Sequence, residues 1–206
     1  MADREPSFKP VSGNVLPRFA GTATFMRLPH LSAPEGIDIG LIGVPWDGGT
    51  ANRAGARHGP RPIRDLSTPM RNVHHVSGIK PFELCKCADL GDTPVNPIDL
   101  EECLQRIEDF FARVHGAGVV PLSAGGDHLV TLPIMRAIAK DRPLGMVHFD
   151  AHTDTWDRYF GDQIYATTVS IMHSCVVGVN RGQTGVSRSR CQSCVRALWV
   201  SYGSSR

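Results

Sequence analysis

Leu144-Gly145-Met146-Val147-His148-Phe149-Asp150-Ala151-His152-Thr153-Asp154 is an apolar run that closes on three potential metal ligands at alternate positions. Side chains of a strand alternate between faces, so Asp150, His152 and Asp154 would project the same way and converge just beyond the strand's carboxyl end. Ligands of open α/β sheets bind at that end. The fold then turns on whether further strands alternate with helices upstream.

They do. The run Gly118-Val119-Val120-Pro121-Leu122 leads through Ser123-Ala124 into Gly125-Gly126-Asp127-His128, a second apolar segment that ends in glycine, aspartate and histidine. Leu129, Leu132, Ile134, Met135 and Ile138 predict a helix over 129–140 between the two strands. Before them, Leu100, Cys103, Leu104, Ile107, Phe110, Phe111 and Val114 recur at helical spacing. That helix opens after Pro97 with acidic residues and stops at Gly116 and Gly118. A short strand ends near Ala88-Asp89-Leu90-Gly91-Asp92, and the first clear strand is Ile37 to Pro45. A glycine-rich loop follows it, then a helix signal at Gly59-Pro60-Arg61-Pro62-Ile63-Arg64, where proline suits a first turn. The alternation predicts an α/β fold, a parallel sheet covered by helices on both faces.

Two strand ends thus present His128, Asp150, His152 and Asp154 together. Mixed imidazole and carboxylate donors suit Mn, Fe, Co or Zn better than Ca or Mg, and the lack of nearby thiols argues against a structural zinc or iron–sulfur site. A carboxylate between two other ligands can bridge a pair of ions. Read instead as ordinary loop-edge residues, these groups would be buried charges at a strand end without the pairing that offsets desolvation. His148 faces away from this set in a regular strand and reads as a core histidine. The glycine-rich loop is a poor phosphate cradle, because no Gly-Lys-Ser or Gly-Lys-Thr follows and its spacing fits no dinucleotide fingerprint.

The chain of 206 residues is 41% apolar, enough for one α/β core, and its net charge is only +2. No basic run interleaved with aromatics suggests nucleic acid, and no stretch has the apolar length of a membrane span. Residues 1–20 carry Asp3, Glu5 and several prolines without an apolar segment, so a cytoplasmic protein is expected. The six cysteines, Cys85, Cys87, Cys103, Cys175, Cys191 and Cys194, are expected to be free thiols. Cys191-Gln192-Ser193-Cys194 is half of a zinc-ribbon spacing with no second pair after it.

Gly125-Gly126-Asp127-His128 and Phe149-Asp150-Ala151-His152-Thr153-Asp154 resemble the two metal motifs of the ureohydrolases, the family of arginase, agmatinase and the guanidino-acid hydrolases. The segment from Gly43 to Arg61 is similar to the agmatinase-like branch. Pro17-Arg18-Phe19-Ala20-Gly21, Phe25-Met26-Arg27-Leu28-Pro29 and Val73-His74-His75-Val76-Ser77 look closest to its guanidinopropionase and guanidinobutyrase members. The resemblance implies a three-layer αβα parallel sheet of arginase type. It also implies hydrolysis of a guanidino compound (agmatine, guanidinobutyrate or guanidinopropionate) to urea and an amine, with two Mn2+ per site and a homo-oligomeric assembly. By that resemblance His128, Asp150 and Asp154 hold one ion, Asp150 and His152 contribute to the other, and Asp127 acts by hydrogen bonding rather than ligation. Trp156 and Arg158, beside the ligands, are placed to read the substrate's tail.

After Tyr165 the resemblance stops. Residues 166–206 hold no acidic residue and no long periodic helix. The family pattern continues to a His-Gly pair, two further aspartates on a later strand and a glutamate facing the guanidinium, and no stretch here resembles them. A shifted reading frame through Thr167, Thr168 and Val169 permits a His-Gly pair. We therefore expect an amino-terminal arm (1–35), a partial ureohydrolase domain (36–165) and a non-homologous, disordered tail (166–206) that replaces the family's carboxyl-terminal part. The alternative to an active hydrolase is then a catalytically silent fragment lacking half of the dinuclear metal site.

Overall fold

The computed structural model describes residues 7–50, 52–141 and 144. Among the described residues three parallel strands form a sheet: β1 (Ile39–Val44), β2 (Cys87–Asp92) and β3 (Val120–Gly125), in the order β2-β1-β3. Four helices accompany them, α1 (Pro60–Leu66), α2 (Pro81–Leu84), α3 (Leu100–Gly116) and α4 (Thr131–Ile138). The three strands, α1 and α3 lie where apolar runs and helical periodicity place them. The strand expected over 144–149 falls almost wholly outside the described residues, as does everything after it.

β1 is central, and its side chains divide the core. Ile42 and Val44 face one side, where they join Ile107, Phe111 and Val114 of α3 and Ile134 and Ile138 of α4. Leu41, with Ile39 beside it, faces the other, against Phe25, Leu28, Cys87 and Leu122. The period of two along the strand thus produces two apolar layers, each roofed by helices. Phe111 and Ile107 are fully buried, and burying side chains of this size contributes about 1.5–3 kcal/mol each.

The helices begin and end for local reasons. Asp99 caps α3 by accepting the Glu102 amide at 2.9 Å, Glu101 and Glu102 complement its positive end, and Arg113 and His115 lie in its last turn. α1 starts on Pro60, whose missing N–H costs nothing there. The continuous helix expected over 129–140 is divided. A 3-10 turn, His128–Val130, precedes α4, because the Asp127 side chain accepts the Leu129 amide at 3.0 Å and tightens the entry.

On the second face, Arg64 of α1 is buried and bridges to β2. Its Nε lies 2.8 Å from Asp89 Oδ2, its second terminal nitrogen 3.1 Å from Oδ1, and its first 2.6 Å from Asp92 Oδ1. Its guanidinium carbon sits 4.2 Å from the centre of the Phe25 ring. A 3-10 turn at Phe25–Arg27 carries Met26 and Arg27 at φ 54° and 60°, a region side chains rarely adopt. Tertiary bonds hold it there, from the Phe25 amide to Asp89 at 2.9 Å and from the Met26 amide to Ser67 Oγ at 2.7 Å.

The strand order places a crevice. From β1 the chain crosses through α1 on one face to β2; from β2 it returns through α3 on the opposite face to β3. After β1 the chain leaves toward α1, and after β3 it leaves toward α4, on the other face. Adjacent strands whose connections part in this way open a crevice at their carboxyl ends, which is where doubly wound sheets bind ligands.

Candidate functional site

The crevice is built from two segments, the loop from Pro45 to Gly59 after β1 and Gly126-Asp127-His128 after β3. Hydrogen bonds join them. Asp127 donates its amide to Trp46 O at 2.9 Å, Gly126 donates to Ala56 O at 3.2 Å, and Gly49 donates to Asp127 Oδ2 at 2.6 Å. The approach is close enough to demand glycine at Gly126. Its φ is +96°, and a Cβ there would lie 2.5 Å from Val44 O and 2.8 Å from Trp46 O. A Cβ on Gly49 would lie 2.9 Å from Asp127 Oδ2 and 3.0 Å from Leu129 Cβ.

Asp127 therefore has both carboxylate oxygens committed to backbone N–H groups, Oδ2 to Gly49 and Oδ1 to Leu129. Burial pushes its carboxyl up to about 6, against the pull of those donors, and the nearby Asp47 charge adds to the rise. His128 follows as the first residue of the 3-10 turn and is half-buried.

Asp47, buried in the same loop, behaves oppositely. Burial works against its ionisation, but the amides of Gly55 (2.6 Å) and Arg57 (3.2 Å) and the Arg57 guanidinium hold its carboxyl below the ordinary value. Arg57 pairs with Asp47 through Nε and keeps 42% of its side chain exposed. Sequence reading did not single out Asp47 or Arg57. The available signal was an aspartate directly before Gly48-Gly49 in a strand-to-helix loop, followed ten positions later by arginine.

Of the expected ligands, His128 lies within the described residues; Asp150, His152 and Asp154 lie outside them, as do Trp156 and Arg158. Among the described residues no three His, Cys, Asp or Glu side chains gather as a metal site. Cys85, Cys87 and Cys103 are free thiols. No helix among the described residues is long and apolar enough to cross a membrane.

A family model described as the arginase family matches residues 37–198. The chain belongs to the arginase family. The matched span runs past Tyr165, where the residue-by-residue resemblance ends. Guanidinopropionase of Pseudomonas aeruginosa is 65% identical over 157 residues, covering 76% of this chain and 49% of that protein. The mitochondrial guanidino acid hydrolase of Homo sapiens is 44% identical over 165 residues, covering 80% of this chain and 47% of that protein. Proclavaminate amidino hydrolase from Streptomyces clavuligerus, a solved structure, superposes with a TM-score of 0.70 at 38% identity, covering 76% of this chain and 53% of that one. The chain spans about half the length of these arginase-family relatives. The likeness bears out the arginase-type parallel sheet with helices expected from the motifs.

Proposed function

We propose that the crevice is the metal end of a manganese-dependent ureohydrolase site that acts on a small guanidino compound. The observation that carries this reading is the placement of Asp127 and His128 at the carboxyl end of β3, pinned to the β1 loop at the topological switch point. The names of the relatives support the substrate class, since those proteins are called guanidinopropionase and guanidino acid hydrolase.

The donors fit the metal. His128, Asp150, His152 and Asp154 would hold the ions, since imidazole and carboxylate groups of this kind suit manganese, and Asp150 would serve both. Asp127 suits a supporting role, because its oxygens are already engaged by two amides. When bound, a divalent pair supplies a water-derived nucleophile at neutral pH. The reaction adds the oxygen of water to the guanidinium carbon and breaks that carbon's bond to the substituted nitrogen. Both protons of that water go to the leaving nitrogen, which departs as an alkylammonium, and urea remains. Trp156 and Arg158 follow the ligand motif, where Arg158 would attract the carboxylate of a guanidino acid.

A second reading is favoured by one observation. Asp162 is the last carboxylate of the chain, so later acidic ligands of the kind the family uses have no counterpart in residues 163–206. Two divalent ions bring four positive charges, and Asp127, Asp150 and Asp154 leave them underneutralised. On this reading the polypeptide holds at most one ion and is catalytically silent. Urea release from 3-guanidinopropionate, 4-guanidinobutyrate and agmatine by the purified chain with added Mn2+ separates the two. Turnover on any of the three supports the hydrolase and refutes the silent fragment; none on all three does the reverse.

A further inference from the structure

We infer that Asp47 is a positioning residue of this crevice: its carboxylate closes the loop from Trp46 to Arg57 into the shape that holds Asp127, and Asp127 in turn sets the 3-10 turn that begins at His128. Its importance for catalysis rests on the metal role proposed for His128; the mechanical coupling does not.

The Asp47 side chain has no solvent exposure. It stands at the near end of the loop and takes its partners from the far end: the Gly55 amide at 2.6 Å, the Arg57 amide at 3.2 Å and the Arg57 guanidinium. A buried carboxylate is costly unless paired and hydrogen-bonded, so these donors and this acceptor hold one another in place. The two ends that Asp47 joins are the ends that grip β3's extension. Trp46 O and the Gly49 amide bind Asp127 from the near side, and Ala56 O binds the Gly126 amide from the far side.

Asp127 passes the constraint on. One of its oxygens takes Gly49 from the loop and the other takes Leu129 from the turn. A chain of hydrogen bonds thus runs from Arg57 and Gly55 through Asp47 and the loop to Asp127, and on to the turn at His128–Val130. Opening the loop at Asp47 frees both of its ends, and the turn loses the partner that orients its cap.

Native-state hydrogen exchange, read amide by amide by NMR on the 206-residue chain, tests this without metal or substrate. In Asp47→Asn the amides of Gly49, Gly126, Asp127 and Leu129 should exchange at least about tenfold faster, relative to those of Ile107 and Phe111 in α3, as expected for losing hydrogen bonds to a charged group. Arg57→Gln removes the ion pair but keeps the Arg57 amide, and should accelerate the same amides by less; it decides the matter if Asp47→Asn does not fold. Uniform acceleration across crevice and α3 would reduce Asp47 to a general stabilising residue and overturn the inference, and unchanged crevice amides would overturn it as well. A parent chain that neither releases urea nor binds manganese would defeat the proposed function, yet the exchange pattern would still be decisive for Asp47.

Discussion

The Gly49 amide donates to Asp127 Oδ2 at 2.6 Å, joining a loop after β1 to the extension of β3 across 78 residues of sequence. This contact fixes the crevice, and its tolerance for added atoms is small. Gly49→Ala should cost about 1–3 kcal/mol, because the new methyl must displace a carboxylate oxygen and the Leu129 side chain. Gly126→Ala should cost more, about 2–5 kcal/mol, because it meets two carbonyl oxygens at a positive φ. Urea unfolding of both variants checks the order; Gly126→Ala as stable as the parent would contradict the packing described.

Arg64 offers a test of the opposite face. Its guanidinium is paired with Asp89 and Asp92 and stacked on Phe25, so Arg64→Met leaves Asp89 buried without its cation. We expect a loss of about 3–5 kcal/mol. Replacing Asp89 by Asn at the same time should recover part of it, since the uncompensated charge is then gone. Denaturation midpoints of the single and double variants measure this, and equal loss in both would assign the effect to packing.

Stability should also depend on Asp47 in acid. Its carboxyl is held below the ordinary value in the folded chain, so the unfolded chain takes up that proton first as pH falls. The stabilisation is present above the unfolded value, about 3.9, and is lost as pH drops through the lower folded value. Relative to Asp47→Asn, the parent should therefore lose stability more steeply below about pH 4. Thermal unfolding across that range reads the slope; parallel curves would remove Asp47 from the acid response.

Cysteine reactivity separates two neighbours. Cys87 is buried, and burial, with Cys85 and Asp38 nearby, pushes its thiol up to about 11, while Cys85 is half-buried at the end of α2. Iodoacetamide at about pH 8 should label Cys85 well before Cys87, because the thiolate is the reactive form. Peptide mass mapping over time shows the order.

The sheet was legible because its strands are short apolar runs bounded by glycine and acidic residues, and α3 because seven apolar residues keep one period from Leu100 to Val114. The crevice was partly legible, since Gly125-Gly126-Asp127-His128 carries a recognisable pattern. Three features were not. The 3-10 turn at Phe25–Arg27 puts two non-glycine residues at positive φ, and it is held by bonds to Asp89 and Ser67, 64 and 41 residues away. The division of the helix after Asp127 follows from a side chain that chooses a local amide, a competition that periodicity does not see. Asp47 and Arg57 take their importance from a loop closure that becomes visible only when both ends of the loop are placed against β3.

If the end of β3 is one wall of a manganese site, titrating the chain with Mn2+ and reading the free ion by electron paramagnetic resonance will show it. The parent chain should bind Mn2+ saturably, and His128→Asn and Asp150→Asn should each weaken that binding by at least about tenfold. Saturable binding that both variants leave unchanged, or no saturable binding by the parent chain, would contradict it.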